Sequence, residues 1–448
     1  MTPDSFREKK EALAARIREN GGSGAGPVRV YKETSNLFRD RAAAPRRRLD
    51  VREFRDVLRI DTACGHVDAE GMVTYEDLVA ECLAHGVMPA VVPQLKTITL
   101  GGAVAGVGIE ASSQRYGLVH DTVLEIEVLL GDGRIVTCAP DNEHRALFFG
   151  FPNSYGTLGY ALRVRAGVVP VKPYVRLEHL PFQEPRRFFG ELERRLRAGE
   201  ADFIDGTVFD PRRMFITLGS FAGSAPYTSD YTYENIYYRS IGERREDYLS
   251  VKDFIWRWDT DWFWCSKNLM AQNPLVRRFV FGRERLGSRT YTKIMRWNSR
   301  AGITRKIERV LGLHSEPVIQ DVDIPLERAA EFFEFYARNI ALWPQWICPI
   351  GPQPGEFALY PVRGDWYVNF GFWDVKRTRE PHSPGHFNRM IEQKVSALGG
   401  IKSLYSESFF PEEEFARLYG GEAYRELKRR YDPQGAFPTL YAKCVLRQ

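Results

Sequence analysis

Residues 97–117, TITLGGAVAGVGIEASSQRYG, hold five glycines and carry charge only at Glu110 and Arg115. Most of the rest are Ser, Thr, Ala or aliphatic. The apolar run VMPAVVP precedes this stretch, and TVLEIEVLLGDGRIVTC follows it, reading as two strands around a Gly-Asp-Gly turn. So little side chain leaves three uses: a backbone cradle for a ligand, a tight structural crossing, or a flexible linker. Gly101, Gly102, Gly106 and Gly108 let the backbone come close to a flat or phosphorylated ligand. Thr97, Thr99, Ser112 and Ser113 add neutral hydroxyls, and successive backbone N–H groups bind a diphosphate without a lysine. A helix–sheet crossing built from small residues explains the same pattern equally well.

Within the stretch, GVGIEA (Gly106–Ala111) fits a GxGxxA dinucleotide fingerprint, with Glu125 about 20 residues on. That fingerprint requires a strand directly before it and a helix directly after it. Here LGGAVA precedes and SSQRYG follows, so the context argues against a Rossmann site.

The surroundings read as a mixed α+β chain. DSFREKKEALAARIRE is a charged amphipathic helix, ended by NGGSGAGP. VLRID and GHVDAEGMV alternate as a hairpin, and Thr74 caps a helix over TYEDLVAECLAHG. Past Pro173 the pattern changes to an amphipathic helix, EPRRFFGELERRLRAG, then strands such as DFIDGTVF, PVIQDVDIP and DWYVNFGFW. With 448 residues, 44% of them hydrophobic, the chain is long enough for two domains. Net charge is +5, an excess of base that reads as modest and spread out. It does not call for nucleic acid and is compatible with a mild attraction to anionic lipid. Six scattered cysteines, no CxxC pair and no run of 18 apolar residues point to reduced thiols in a cytoplasmic protein, with peripheral contact at the inner membrane face left open. No metal site is expected: His382 and His386 flank a loop-like SPG, and Cys348 in WICP reads as a small buried hydrophobe.

PQLKTITLGGAVAGVGIEASSQRYGLVHDTVLEIEVLLGDGRIVTC, followed by FPNSYGTLGY, resembles the PCMH-type FAD-binding domain of the vanillyl-alcohol oxidase kind. The resemblance is to the branch that contains Δ24-sterol reductase. It extends to VYKETSNLFR, WPQWICP, KSLYSESFFPEEEF and YDPQGAFPTLYAK. Within the branch, KTITLGGAV, FPNSYGTLGY and RWDTDWFWCS look like the bacterial reductases of 10-methyl branched fatty acid synthesis. The resemblance implies an α+β fold: an N-terminal helix and linker (1–27), a shortened FAD-binding domain (28–175) and an α/β cap (176–448) whose C-terminal segment returns toward the first domain.

It also implies site residues. Thr97, Ile98, Thr99, Leu100, Gly101 and Gly102 should line the FAD diphosphate. Gly106, Gly108, Ile109, Glu110, Ser112 and Ser113 should run beside the isoalloxazine and ribityl chain, with Tyr116, Gly117, His120, Asp121 and Thr122 on the other side. Gly156, Thr157 and Gly159 form a second turn toward the flavin. Many family members carry a full small subdomain before this region, often with a histidine bonded to flavin. This chain starts too late for that, so FAD should be noncovalent, with Lys32, Thr34, Ser35 and Asn36 taking over some phosphate contacts.

The implied chemistry is saturation of an isolated alkene by protonation and then hydride transfer, on a methylene-branched fatty acyl chain of a phospholipid. NADPH is the expected electron donor, and a SAM-dependent methyltransferase the expected upstream partner. Such a site needs an acid, an apolar tunnel and aromatic faces to shelter a cation. DFIWRWDTDWFWCS supplies aromatics interleaved with Asp259, although aromatic core packing accounts for most of those rings as well. The candidate acids and contacts are Glu110, His120, Asp259, Tyr367 and Asn369, with a loop anchor or a core histidine as the plainer reading of the first two. Three rivals remain: a flavin desaturase on a methylated acyl chain, a sterol reductase, and a non-catalytic lipid-binding protein.

Overall fold

A computed structural model describes residues 3–19, 28–33, 38–39, 47–301, 312–362 and 364–448. Thr34, Ser35 and Asn36 lie outside the described residues.

In the N-terminal half, helix Pro3–Glu19 packs its Phe6, Leu13 and Ile17 against Val28, Leu49, Phe54 and Leu162. Strands β1 (Val28–Tyr31) and β2 (Arg47–Asp50) pair in parallel. Strands β3 (Val57–Asp61), β4 (His66–Glu70), β5 (Val87–Pro89), β6 (Val123–Leu129), β7 (Ile135–Cys138) and β8 (Tyr160–Pro170) follow. Five of them make a sheet of order β3-β4-β8-β6-β7, and β5 pairs with β8. The Gly-Asp-Gly turn joins β6 to β7 as expected, with Gly133 in the left-handed region at φ 86°. Glu125, on β6, is held by Arg163, so it reads no ribose.

The glycine stretch becomes a six-residue helix, Leu100–Ala105, whose N-cap Thr99 accepts from Gly102 N at 3.2 Å. A helix, not a strand, therefore precedes GVGIEA. The tight-crossing reading is realised at Gly101 and Gly108. Gly101 N donates to Gly71 O at 2.8 Å, and a Cβ on Gly101 would sit 2.8 Å from that same oxygen. Gly108 is likewise closed off by Val119 and Pro93. A Cβ on Gly102 would meet Thr99 Oγ1 at 2.7 Å, with the Lys32 ammonium at 3.7 Å, and one on Gly106 would meet Gly102 O at 3.1 Å, with the Tyr155 ring at 3.5 Å.

The second half is built on one eight-stranded sheet. Its strands are β9 (Tyr174–Phe182), β10 (Phe203–Asp210), β11 (Arg213–Ala222), β12 (Glu246–Ser250), β13 (His314–Pro325), β14 (Gln345–Ile350), β15 (Tyr367–Thr378) and β16 (Ile401–Lys402), in the order β12-β9-β11-β10-β14-β15-β13-β16. Period-two alternation gives the sheet two unlike faces. Ile204, Val208, Val322, Ile324, Val368 and Phe370 point one way, into a core with helices Pro185–Ala198, Ala329–Asn339 and His386–Ala397. Asp205, Thr207, Asp323, Asn369 and Trp346 point the other way, yet all are buried. That face is covered by the first domain: Ile204 N donates to Ala111 O at 2.9 Å and Gly351 N to Ser113 O at 3.0 Å. The C-terminal segment returns to the first domain through Val28 N to Ala436 O at 2.9 Å.

The two glycine environments give opposite expectations. Gly101→Ala should overpack and lose about 1–3 kcal/mol in urea unfolding. Gly190→Ala, on the exposed face of helix Pro185–Ala198 with nothing within 4 Å of the new methyl, should gain roughly 0.5–1 kcal/mol.

Candidate active site between the two domains

Two small-residue turns meet at the seam. Tyr155 N donates to Ala105 O at 2.7 Å and Asn153 N to Gly106 O at 3.1 Å, which docks FPNSYGT on the end of the glycine helix. Asn153 and Tyr155 hold φ of 62° and 49°, values costly for residues with a side chain. Four cations reach these turns. Lys32 Nζ lies 3.7 Å from where a Cβ on Gly102 would be, and the Arg39 guanidinium lies 4.8 Å from the Tyr155 ring centre. Lys428 Nζ donates to Thr157 O at 3.1 Å, and Lys443 Nζ donates to Tyr155 O. Lys32 was expected at the phosphate; the fold adds Arg39, Lys428 and Lys443 at the same turns, a convergence no local pattern reveals.

At these turns lie buried polar atoms that have no partner among the described residues: Arg39 Nη2, Asn153 Oδ1, Ser154 Oγ and Tyr155 OH; both amide atoms of Gln94, next to the glycine stretch in sequence, also lack one. Farther along, Glu110 Oε2, His120 Nδ1 and Asn369 Oδ1 are in the same position. Buried polar groups are rarely left unmatched. Several of them on residues at the meeting of the two domains, with cations at the 153–157 turn, fit a ligand with an anionic part and a polar ring. FAD is such a ligand.

The other predicted residues hold the loop together. Ser112 Oγ donates to Ala90 O at 2.7 Å, and Ser113 Oγ accepts from Glu110 N at 3.1 Å. Gly117, at φ 70°, approaches Asp121, whose carboxylate accepts from Leu118 N at 2.7 Å and is pushed up to about 7 by burial. Thr122 Oγ1 donates to Val119 O at 2.7 Å, and Thr157 Oγ1 to Ser154 O at 2.8 Å. Gly156 and Gly159 take φ of 74° and 139°.

Glu110 is tied to a residue absent from the expected set. Arg257 Nη2 donates to Glu110 Oε1 and to Asp205 Oδ2, both at 2.8 Å, with all three side chains almost fully buried. Burial alone works against the Arg257 charge, but the two carboxylates more than reverse it and raise its pKa. Burial pushes Glu110 the other way, upward, with Arg257 opposing. The guanidinium lies 4.1 Å from the Phe254 ring centre and 5.6 Å from that of Tyr237. The cation sheltered by this part of the DFIWRWDTDWFWCS segment is thus the protein's own. Asp259 accepts from Lys96 N at 3.0 Å and from Ser288 Oγ, which fastens loops rather than joining Glu110.

From Glu110 a chain of contacts crosses the polar face of the cap sheet. Cys348 Sγ donates to Glu110 O at 3.1 Å, and Cys348 faces Asn369 across the β14–β15 ladder. Asn369 Nδ2 and Tyr360 OH both donate to Asp323, each at 2.7 Å. The Tyr360 and Phe357 rings flank His120, which burial lowers to about 3 and so keeps neutral. Its Nδ1 has no partner among the described residues and is open to a hydrogen bond. Tyr367 sits two residues from Asn369 on the same strand, facing the same way.

Two acids were missed. Burial pushes Asp323 up to about 6 and Asp321 up to about 8. Asp321 Oδ1 is buried without a partner and occupies the space opposite the bare Gly371. Trp373, next along β15, donates from Nε1 to Tyr405 OH at 2.7 Å and packs on Phe263, ring centres 4.3 Å apart. The signal was present in QDVDIP, where acids alternate with Val322 and Ile324: strand geometry turns both carboxyls to the face opposite the aliphatic core.

Comparison with known proteins agrees with this geometry. A family model described as an FAD binding domain matches residues 8–139. The chain is 26% identical over 407 residues to the Delta(24)-sterol reductase of Homo sapiens, covering 87% of this chain and 76% of the relative. It is 26% identical over 441 residues to the Delta(24)-sterol reductase of Arabidopsis thaliana, covering 88% and 76%. It is 31% identical over 410 residues to Cytokinin dehydrogenase 6 of Oryza sativa subsp. japonica, covering 83% and 72%.

Removing the central cation should be costly. Arg257→Met leaves Glu110 and Asp205 buried and uncompensated, an expected loss of about 3–5 kcal/mol in denaturant unfolding at neutral pH.

Proposed function

The chain belongs to the FAD-dependent oxidoreductases that share this FAD binding domain, and on that premise we propose that it saturates a carbon–carbon double bond in an apolar lipid, a methylene-branched fatty acyl chain of a phospholipid. The observation that carries the reading is Asp321. It is an acid with an unpartnered oxygen, beside the Trp373–Phe263 aromatic wall, on the cap face that closes over the FAD-binding loops.

An isolated alkene accepts hydride poorly, so a proton must reach one of its carbons. When bound, the flavin supplies the hydride. The chain supplies the rest. Lys32, Arg39 and Lys443 offset the negative charge of a diphosphate, while Lys428, paired with Asp432, holds the turn at Thr157. Gln94, Asn153, Ser154 and Tyr155 offer hydrogen bonds to the polar parts of the cofactor. Asp321, with its proton held near pH 8 by burial, keeps an acid available at neutral pH. Asp323 beside it adds to that rise, and a hydrogen bond with Tyr405 opposes it. The Phe263, Trp264 and Trp373 rings form a dry apolar wall, whose faces steady positive charge on the protonated lipid. NADPH is the proposed electron donor. A substrate of this class arises by methyl transfer to an unsaturated chain, so a SAM-dependent methyltransferase would act immediately before it.

A second reading, a Δ24-type sterol alkene as substrate, is supported by the relatives of that name. Incubation of the flavin-loaded protein with NADPH and each lipid in turn, followed by mass spectrometry, tests both. A gain of two hydrogens on the methylene acyl chain supports the first reading, and a gain on the sterol side chain alone supports the second. Oxidation of a methylated chain instead would make the enzyme a desaturase. Because the acid form of Asp321 is the active one, turnover should be level below pH 8 and fall above it. Asp321→Asn should lower kcat by about 10²–10⁴, with flavin content and far-ultraviolet circular dichroism unchanged.

A further inference from the structure

Among the described residues, Met270, Leu275, Phe279, Val280, Met295 and Trp297 are large apolar side chains left exposed within one short stretch. Leu275, Phe279 and Trp297 are 67%, 75% and 62% exposed. They lie on helix Pro274–Val276, the π-helical turn Arg277–Phe281 and helix Ser288–Ala301.

This face is built, not frayed. Asn273 Oδ1 caps the first helix by accepting from Leu275 N and Val276 N. Arg277 is pinned inward by Asp261 at 2.7 and 3.0 Å. Phe281 meets Tyr291 edge-on with ring centres 6.1 Å apart, and the buried Tyr291 stacks on Trp262 at 9°. With its inner side chains fixed, the turn has no alternative but to present Phe279 and Val280 outward.

The charge pattern is equally one-sided. Residues 270–301 contain eight Lys or Arg and one acid, Glu284, a formal +7 of which the inward Arg277 contributes nothing to the outer face. The whole chain sums to +5, so everything outside the stretch is −2. The excess of base that composition suggested was spread out is concentrated here. Arg283 and Arg289 pair with Asp230 and Glu76 yet stay 62% and 60% exposed.

Interleaved cations, aliphatic side chains and a tryptophan match the boundary of an anionic bilayer. A nucleic acid would meet the cations but leave Leu275, Val280 and Met295 in water. No helix among the described residues is long and apolar enough to cross a membrane. From this face a line of rings runs inward: Phe281, Tyr291, Trp262, Phe38 and Tyr405, each within 6.5 Å of the next. Tyr405 then accepts from Trp373, beside Asp321. The apolar line links the surface to the candidate acid.

We propose that the face formed by residues 274–281 and helix Ser288–Ala301 docks on anionic lipid bilayers. The docking stands independently of the reductase reading, because its test uses no turnover. The flavin-loaded full chain is sedimented with vesicles of phosphatidylcholine alone, and of phosphatidylcholine mixed with phosphatidylglycerol, at low and high salt. Two double variants are compared: Phe279→Ser with Trp297→Ser, and Arg278→Glu with Lys293→Glu. The expected result is strong partition to mixed vesicles, weakened by salt and by neutral lipid, and lowered roughly ten-fold or more by either variant. Melting temperature and flavin content should not change, since every altered side chain is exposed. Absence of partition, or equal partition of the variants, overturns the proposal. Self-association lost in the Phe279/Trp297 variant, with no vesicle binding, makes the face a protein interface and also overturns it. Vesicle binding by a protein that reduces no lipid leaves the docking standing and removes the reductase reading.

Discussion

Arg257 holds the two halves of the molecule in register. Its guanidinium bonds Glu110, from the glycine-rich loop of the first domain, and Asp205, from the cap sheet. Neither carboxylate tolerates burial alone, and neither does the cation; together they share one desolvated site. Trp346 Nε1 adds a contact to Asp205 at 3.3 Å, and Cys348 a contact to the backbone of Glu110. The loop that carries the small residues is therefore located by charge, not by side-chain bulk, of which it has little. That frees the rest of its surface to meet a ligand.

The cap sheet extends this logic. A sheet with helices on one face usually offers its other face to solvent or to a second apolar layer. Here the second face is polar and buried, and the first domain covers it. Burial without full satisfaction explains several features at once: the raised carboxyls of Asp321 and Asp323, the neutral His120 and the unpaired amide atoms of Gln94. Each would be a defect in a purely structural interface. Side by side they fit the bed we propose for a cofactor that carries both charge and hydrogen-bonding capacity, with Asp321 as the proposed acid.

Much of this was legible in the sequence. The hairpin over 123–138, the Thr74 cap, the amphipathic helix after Glu184 and the strands of the cap follow from local periodicity and turn chemistry, which act over a few residues. The quoted motifs led to the cofactor class. What sequence could not show was convergence. Lys428 and Lys443 meet a turn near residue 155, and Arg257 reaches 147 positions back to Glu110. Nothing local encodes such meetings. Asp321 and Asp323 are different: their alternation with Val322 and Ile324 is readable in the sequence, but whether the face they share is buried depends on the first domain that covers it. The charge of residues 270–301 was readable too, and averaging over the whole chain hid it.

The central claim is that the seam between the glycine-rich loop and the polar cap face is the cofactor's bed. Hydrogen–deuterium exchange on deflavinated protein, with and without added FAD, tests it most directly. The expected result is protection concentrated in residues 97–113 and 153–157 of the loops and in 321–323 of the cap. Protection elsewhere, or none on adding saturating FAD, would contradict the account.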